Sequence, residues 1–370
     1  MTWGSFNGDE AEAHAQLDKY WELGANFIDT AEMYPVAFNY GATTEKWIGT
    51  WLTSRKIDRS KVYIATKVNI NGIGSGGESH SFEAEKVLKS CELSLERLQT
   101  DYIDLYQLHY PSRQGGALFG WGNYGSPERY AKSKTSGGGL EVFERQVLAI
   151  KQLFDKGLIK DWGLSNENAY GTTMFCLACD KLGVPRPVSI QNDFSLNNRV
   201  YEGDVAEAAH EFGLVGLPYG ALGGGVLTGK YGNPKYAGDR PLDLARMNAR
   251  PEFQGRYNNP SAKRAANEYA KLAEAWGLKP VELAYAWARD RWYNGAVITG
   301  TTTVQQVEDA VSAFKLDTLP ADLLKAVDDL HEKFRSPSAA LTDQSVLLTM
   351  DAFKAEDNIN DDDATTCGTP

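Results

Sequence analysis

The sequence predicts an α/β protein that folds as a (β/α)8 TIM barrel, and two observations support this fold. Short apolar runs alternate with longer amphipathic segments along most of the 370 residues, and each run has the length of a strand that is buried on both faces. Polar side chains also end six successive runs, and a parallel barrel brings such strand ends to one face. The alternative is an open doubly wound sheet, which usually carries a glycine fingerprint in its first strand–helix turn.

Seven of the apolar runs are predicted to form strands. They cover residues 26–29, 62–67, 102–109, 159–165, 188–192, 214–219 and 296–299. Residues 1–4 are expected to form the end of an eighth strand, which stands first along the chain and is cut short. Seven strand–helix units and this partial strand together make the barrel.

Amphipathic segments between the runs are predicted to form helices. Residues 10–23, 82–98 and 140–156 carry apolar side chains three and four positions apart, which is the spacing of one buried helix face. Gly157 follows the third of these segments, at a position where a glycine commonly ends a helix. The barrel domain is expected to cover residues 1–335.

Residues 336–370 are predicted to be a C-terminal extension that is acidic and mobile. The strand and helix patterns fade after Arg335. Residues 351–370 contain six acidic side chains and one lysine, a net charge of −5 out of the −11 of the whole chain. Such a segment has little apolar surface to bury and is typical of mobile tails.

Charge and composition argue against several classes of protein. The chain has 38 Lys and Arg residues against 49 Asp and Glu residues, and the resulting negative charge repels phosphate backbones and anionic membranes. No apolar stretch approaches the roughly 20 residues of a transmembrane helix. The four cysteines are too few for a disulfide framework. We therefore expect a cytoplasmic protein that binds neither nucleic acid nor membranes.

Two glycine-containing segments are predicted to be loops. Residues 72–77 match the pattern G-x-G-x-x-G, but they lie in the third unit and no helical pattern opens directly after them. Residues 111–139 are too long for an ordinary connection, and a loop of this length in a compact domain is usually functional or disordered. Phe119, Trp121 and Tyr124 in this loop indicate an apolar or ring-bearing substrate.

The polar residues at the strand ends are candidates for an active site, because buried polar groups are costly unless they have partners. They are Asp29, Lys67, His109, Ser165, Asn166, Gln191, Asn192 and Tyr219. These residues show no metal-ligand spacing, so no metal site is expected. Cys176 and Cys179 stand three positions apart in a helical segment without a second pair, and we expect them to pack in a helix face.

Several segments resemble the signature motifs of the aldo-keto reductases. Residues 24–34 (GANFIDTAEMY) resemble the first signature, residues 64–68 (IATKV) the strand with the family's lysine, and residues 94–109 the second signature. Further matches follow in family order at residues 163–166, 191–192, 225–231 and 300–306. The long loop and the Gly-Lys-Tyr segment resemble the bacterial Tas-type branch of the family, near the potassium-channel β subunits.

The resemblance implies a catalytic tetrad of Asp29, Tyr34, Lys67 and His109. Tyr34 would donate the proton that the reduction of a carbonyl group requires. An ammonium group about 4 Å from the phenol is expected to lower the pKa of Tyr34 from about 10 toward about 7. Asp29 would anchor Lys67, and His109 would orient the carbonyl oxygen of the substrate by a hydrogen bond.

The resemblance also implies NADPH as the cofactor, bound across the barrel mouth without a Rossmann motif. The residues that would contact it are Ser165, Asn166, Gln191, Tyr219, Gly220, Ala221, Leu222, Gly225, Leu227, Gly229, Lys230, Arg240, Gly300, Thr302 and Gln306. The first three would hold the carboxamide group, Tyr219 would stack on the nicotinamide ring, and Arg240 would contact the 2′-phosphate.

The sequence departs from the family pattern in a few places. Gly220 stands where serine is usual, Ala310 where asparagine is usual, and Tyr110 where tryptophan is common in this branch. The N-terminal hairpin that usually closes the barrel floor is expected to be missing, together with part of strand one.

Two functions follow from the resemblance. The first is an NADPH-dependent oxidoreductase that reduces aldehydes or ketones, with Tyr34 as the proton donor. The second is an NADP(H)-binding regulatory or interaction subunit with little turnover, similar to the channel β subunits. The complete tetrad favours the first, in which the partner is a small-molecule carbonyl substrate. Neither the identity of that substrate nor the oligomeric state follows from the sequence.

Overall fold

The computed structural model of the chain describes residues 1–4, 9–35, 42–69, 84–113, 139–238, 241–249, 251 and 254–339. Four sequence predictions concern other parts of the chain and lie outside the described residues. They are the glycine pattern at residues 72–77, most of the loop 111–139 with its three aromatic residues, Arg240, and most of the C-terminal extension.

Six parallel strands form one sheet. They are β1 (Phe27–Asp29), β2 (Tyr63–Val68), β3 (Ile103–Leu108), β4 (Ile159–Ser165), β5 (Ser189–Gln191) and β6 (Val215–Gly216). Their order in the sheet is their order along the chain, and each strand is parallel to its neighbours. A doubly wound sheet would reverse its strand order at a switch point, so this sheet excludes that alternative. The protein therefore has an α/β fold with a parallel half-barrel, consistent with a TIM barrel.

Helices connect the strands and cover the outer face of the sheet. They are α1 (Glu10–Glu22), α2 (Thr43–Ser54), α3 (Ala84–Leu98), α4 (Leu140–Asp155), α5 (Ala169–Leu182), α6 (Asp204–Glu211), α7 (Arg246–Ala249), α8 (Pro260–Ala275), α9 (Pro280–Arg289), α10 (Val304–Phe314) and α11 (Ala321–Lys333). The three helices predicted from apolar spacing correspond to α1, α3 and α4, each within two residues at its ends.

The local sequence explains where several helices begin and end. At the start of α1, a carboxylate oxygen of Asp9 accepts a hydrogen bond from the backbone N–H of Glu12 at 2.8 Å. Asn168 caps α5 in the same way, because its side-chain oxygen accepts from the N–H of Gly171. Gly157 follows α4 with φ +69°, the left-handed conformation that ends many helices.

The main hydrophobic core lies between the sheet and the helices. Among its largest fully buried side chains are Trp51 of α2, Phe143 of α4 and Trp162 of β4. The rings of Phe143 and Trp162 pack edge-on against Phe175 of α5, with centroid distances of 4.9 and 5.9 Å. The apolar helix faces are thereby buried on the outside of the sheet.

The last two predicted strands differ from the structure. Strand β6 ends at Gly216 instead of Tyr219, because Pro218 has no N–H to donate to a ladder. The strand expected at residues 296–299 forms no regular ladder. Instead, Asn294 makes a parallel bridge with Gly216, and the N–H of Ile298 donates to the carbonyl of Pro218 at 2.9 Å. This stretch therefore lies beside β6 and pairs with it through isolated hydrogen bonds.

Residues 336–339, at the start of the predicted extension, lie against the barrel. The N–H of Ser338 donates to the carbonyl of Asn197 at 3.0 Å, and Asn259 donates to the carbonyl of Pro337 at 2.9 Å. None of the helices in the described ranges has the length and apolar character needed to cross a membrane.

Candidate active site

A cavity of about 1670 Å³ runs along β1 and reaches the carboxyl ends of the strands. Three of the four predicted tetrad residues line it, namely Asp29, Tyr34 and His109. The same cavity reaches the glycine-rich segment after β6 and the start of α10. Parallel strands bring their carboxyl ends to one face of a barrel, which is why residues distant in the sequence meet here.

Lys67, the fourth residue of the predicted tetrad, lies fully buried beneath the cavity. Its Nζ donates to a carboxylate oxygen of Asp29 at 2.6 Å and to the carbonyl oxygen of Thr30 at 2.8 Å. An ammonium group has three hydrogens, so one hydrogen of Lys67 remains after these two bonds. The ring centroid of Tyr34 lies 5.2 Å from the Lys67 Nζ. Burial lowers the pKa of Lys67, and the Asp29 carboxylate opposes this effect.

The carboxylate of Asp29 is held from both of its oxygens. One oxygen accepts from Lys67, and the other accepts from Gln191 at 2.8 Å and from Gln107 at 3.2 Å. Gln107 was not among the predicted site residues. The signal for it is its position in a buried and mainly apolar strand, two residues before His109, where an amide has to find a partner.

Tyr34 stands beside both Lys67 and His109. Its ring lies 5.7 Å from the imidazole, in an edge-on arrangement. Burial raises the pKa of Tyr34 well above its usual value of about 10, and the Asp29 carboxylate and Tyr110 raise it further. The expected lowering of this pKa is wrong, because burial outweighs the ammonium group and Asp29 offsets its charge.

His109 is a neutral imidazole in this environment. Burial lowers its pKa well below the usual value of about 6.5, and the positive charge of Lys67 lowers it further. The ring stacks on Tyr110 at 4.3 Å between centroids, with an interplanar angle of 6°. Among the described residues, its Nδ1 has no hydrogen-bond partner. A neutral imidazole still carries one N–H, so it can donate a hydrogen bond to an uncharged oxygen.

Ser165, Asn166 and Tyr219 form a connected group next to the tetrad. The hydroxyl of Ser165 donates to the carbonyl of Gln191 at 2.8 Å, and the amide of Asn166 donates to the carbonyl of His109 at 2.9 Å. The Tyr219 hydroxyl donates to the side-chain oxygen of Asn166 at 2.7 Å. These bonds fix the side chains that were predicted to hold a carboxamide group and a flat ring.

The glycine-rich segment of residues 220–229 folds as a tight turn. Gly224 and Gly225 have φ values of +63° and +104°, a region that residues with a Cβ rarely adopt. A Cβ on Gly224 would also lie 2.6 Å from the side chain of Met247. Such a turn presents its backbone closely to a ligand, and the ammonium group of Lys230 lies 3.6 Å from a Cβ position on Gly225.

Not every residue of this segment faces the cavity. Ala221, Leu222 and Lys230 line it. Leu227 is buried in the hydrophobic core, and Gly229 ends the turn with φ +80°. These last two residues do not line the cavity and contribute to the shape of the turn.

A buried charged cluster explains why residue 220 is a glycine here. Asp193 accepts from Arg256 at 2.9 Å and from the Tyr257 hydroxyl at 2.7 Å. A Cβ on Gly220, which has φ +73°, would lie 2.7 Å from the same Asp193 carboxylate and 2.6 Å from the Tyr257 hydroxyl. The cluster occupies the space of a serine side chain. Sequence reasoning missed all three of its members, because Asp193 lies more than sixty residues before Arg256 and Tyr257.

At the far end of the cavity, Gly300, Thr302 and Gln306 stand at the start of α10. The side-chain oxygen of Gln306 accepts from the N–H of Thr302 at 2.9 Å and from its hydroxyl at 3.1 Å. All three residues line the cavity. A helix N-terminus of this kind favours negatively charged groups.

The cysteine pair lies outside the cavity. Cys176 and Cys179 are fully buried in α5, in the main hydrophobic core. Burial raises the pKa of each thiol to about 12, so both are protonated and unreactive at neutral pH. The prediction that they pack in a helix face is confirmed.

Comparison with known proteins identifies the family. The model of the aldo/keto reductase family matches residues 1–332. Protein tas of Escherichia coli (strain K12) is 34% identical over 347 residues, covering 91% of this chain and 94% of that protein. Oxidoreductase YrpG of Bacillus subtilis is 28% identical, covering 87% of each chain. A protein of Schizosaccharomyces pombe named as a voltage-gated potassium channel subunit beta is 24% identical, covering 89% and 87%. The chain therefore belongs to the aldo/keto reductase family, in its Tas-type branch.

Proposed function

We propose that the protein reduces aldehydes or ketones to alcohols with NADPH, and that Tyr34 donates the proton. The observation that supports this most directly is the Lys67 ammonium group, buried between Asp29 and the ring of Tyr34 at the bottom of a large cavity. A buried ion pair beside a phenol has little structural benefit, whereas a proton donor needs a nearby positive charge when its own negative charge develops.

The residues present fit a nicotinamide dinucleotide. The turn at Gly224 and Gly225 has positive φ values that favour glycine, so its backbone can approach a ligand closely. The ammonium group of Lys230 lies 3.6 Å from a Cβ position on Gly225 and could contact a negatively charged group. Ser165, Asn166 and Gln191 provide polar atoms at the other end of the cavity, near the tetrad. When bound, the reduced cofactor supplies the hydride.

The proton chemistry belongs to the side chains of the chain itself. Because the pKa of Tyr34 is raised, its hydroxyl is protonated at neutral pH and is ready to donate. The neutral N–H of His109 would hold the carbonyl oxygen next to that hydroxyl. As the proton leaves, Lys67 would stabilise the phenolate, with Asp29 and Thr30 fixing the ammonium group in place.

We also propose that the half-barrel belongs to a closed (β/α)8 barrel. Residues 1–4 would provide the end of strand one. In support, the Thr2 hydroxyl donates to the carbonyl of Thr301 at 3.0 Å, on the side of the barrel between β1 and the stretch that follows β6. A cytoplasmic location remains a prediction.

The alternative function is an NADP(H)-binding interaction subunit with little turnover. It is favoured by relatives named as potassium channel β subunits, at 24% and 25% identity. The complete set of Asp29, Tyr34, Lys67 and His109 favours turnover instead. The two functions predict different turnover rates and different affinities for NADPH, so measuring both quantities separates them.

The test is a steady-state assay of the purified protein with a panel of aliphatic and aromatic aldehydes and ketones. Loss of NADPH absorbance is followed, with NADH as the comparison and calorimetry for NADPH affinity. We expect turnover with NADPH and slower turnover with NADH at equal concentration. Tight NADPH binding without turnover on any substrate would support the interaction subunit, and absence of binding would contradict both functions.

A further inference from the structure

Two glutamine side chains form an amide pair under the carboxylate of Asp29. Gln107 is fully buried on β3, where it is the register partner of Lys67 on β2. Gln191 ends β5 and lines the cavity. Between them in the sheet stands Gly163 of β4, the register partner of Gln107. A Cβ there would lie 2.5 Å from the hydroxyl oxygen of Ser189 and 3.5 Å from the side chain of Gln107, and a glycine at this position keeps β4 free of a side chain beside the pair.

The direction of each hydrogen bond in this pair is fixed by Asp29. A carboxylate oxygen accepts only, so both glutamines must present their NH₂ groups to it, at 2.8 Å from Gln191 and 3.2 Å from Gln107. The side-chain oxygen of Gln107 then accepts the second hydrogen of the Gln191 NH₂ group, at 3.3 Å. Both hydrogens of that NH₂ group are thus used inside the protein.

The remaining polar atom of Gln191 is its side-chain oxygen, which is left to meet a ligand in the cavity. If the amide were reversed, this oxygen would face the carboxylate of Asp29 and the oxygen of Gln107, and both contacts would be repulsive. Gln191 can therefore recognise a hydrogen-bond donor, such as the NH₂ group of a primary carboxamide. It can do so only while its orientation is held.

We propose that Gln107 is a positioning residue for the nicotinamide end of the cofactor, acting through Gln191. By donating to Asp29 and accepting from Gln191, it holds the Gln191 oxygen toward the cavity, where that oxygen accepts from the cofactor carboxamide. This inference rests on the proposed function, because it assumes that the cavity binds NADP(H). It adds a residue that neither touches the cofactor nor belongs to the tetrad.

Calorimetric binding to the full chain tests the proposal without turnover. Two ligands are compared: NADP⁺, and adenosine 2′,5′-bisphosphate, which lacks the nicotinamide. In Gln107→Leu, we expect NADP⁺ to bind about tenfold more weakly, the effect of losing one oriented hydrogen bond, while the bisphosphate binds as before. Gln146→Leu is the matched control, since it removes another buried glutamine, whose amide donates to the carbonyls of Ser112 and Val142.

Gln107→Glu keeps the shape of the side chain and provides a second readout. A protonated carboxyl group can donate to Asp29 and accept from Gln191, whereas the ionised form repels the Asp29 carboxylate. We expect its NADP⁺ affinity to approach that of the unchanged protein at low pH and to fall as the pH rises. The other titratable groups around this position, Asp29, Lys67, Tyr34 and His109, are present in both proteins. The ratio of affinities therefore reports the carboxyl group at residue 107 together with its coupling to Asp29.

The outcomes separate this proposal from the proposed function. If the unchanged protein binds neither ligand, both are contradicted. If it binds NADP⁺ but Gln107→Leu binds NADP⁺ equally well, or loses both ligands to the same extent, the role of Gln107 is contradicted and the proposed function stands. A pH-independent affinity ratio for Gln107→Glu would also contradict the role of Gln107.

Discussion

At the scale of single residues, burial shifts the pKa values of three tetrad side chains. It raises the pKa of Tyr34 and lowers the pKa values of Lys67 and His109. Each shift favours the uncharged form, and only Lys67 has a carboxylate that keeps it charged, through the 2.6 Å contact with Asp29. The resulting site combines a neutral phenol, a neutral imidazole and one ammonium group.

These directions predict the pH dependence of carbonyl reduction. Because the pKa of His109 lies well below 6.5, kcat/KM should be constant from about pH 6 to pH 8. At alkaline pH the rate should fall as Lys67 loses its proton, since its lowered pKa is reached before that of Tyr34. Steady-state rates over the pH range provide the measurement. An inflection near pH 6.5 would contradict a neutral His109.

At the scale of elements, the turn after β6 depends on the cluster of Asp193, Arg256 and Tyr257. The Tyr257 hydroxyl accepts from Arg256 at 2.9 Å and donates to Asp193. Asp193 also pairs with Tyr219 in an isolated parallel bridge. The cluster therefore connects the loop after β5 to the residue that was predicted to stack on the nicotinamide, and it fills the space beside Gly220.

Two alanine substitutions test this close packing. Gly220 and Gly238 both have left-handed backbones, with φ +73° and +65°. Alanine at either position should therefore lower the free energy of unfolding by about 1–2 kcal/mol through backbone strain. Only Gly220 has atoms within 4 Å of its Cβ position. Gly220→Ala should therefore lose a further 1–3 kcal/mol or so from overpacking. Urea unfolding of both variants measures the difference, and equal losses would show that the cluster yields to the new methyl group.

Much of the fold could be predicted because burial leaves a strong periodic pattern. The runs at β1 to β5 and the helices α1, α3 and α4 were located from apolar spacing alone. The stretch after α9 was expected as a strand, but it pairs through isolated hydrogen bonds, and such pairing depends on its neighbour Pro218. Gln107 and Asp193 were missed as site residues because their hydrogen-bond partners come from distant segments. A single sequence does not indicate which distant side chains meet in the fold.

At the scale of the whole molecule, a buried ion pair joins the two loops that follow β3 and β4. Arg113, after β3, donates to both carboxylate oxygens of Glu167, after β4. The two side chains are 4% and 2% exposed. Glu167 also accepts from the N–H of Asn168 at 2.8 Å, next to the N-terminus of α5. The pair therefore holds the strand end of His109 beside that of Asn166.

Removing one member of this pair should strongly destabilise the fold. Arg113→Met leaves a buried carboxylate without its partner, at a cost of about 3–5 kcal/mol. The exposed pair of Lys325 and Asp329, 73% and 65% exposed, is the control. Lys325→Met should change the free energy of unfolding by less than about 1 kcal/mol. Denaturant unfolding compares them, and similar effects of both substitutions would contradict a structural role for Arg113.

The central claim is that Tyr34 donates a proton next to a buried ammonium group, and Tyr34→Phe tests it most directly. The control is Tyr63→Phe, which removes the hydroxyl of a tyrosine away from the tetrad. Tyr63 lies at the start of β2, at the end opposite Lys67, and its hydroxyl donates to Asp161 at 3.4 Å. We predict that Tyr34→Phe lowers kcat for aldehyde reduction at least about a hundredfold with unchanged NADPH affinity, and that Tyr63→Phe keeps its activity. Full turnover by Tyr34→Phe would contradict the account.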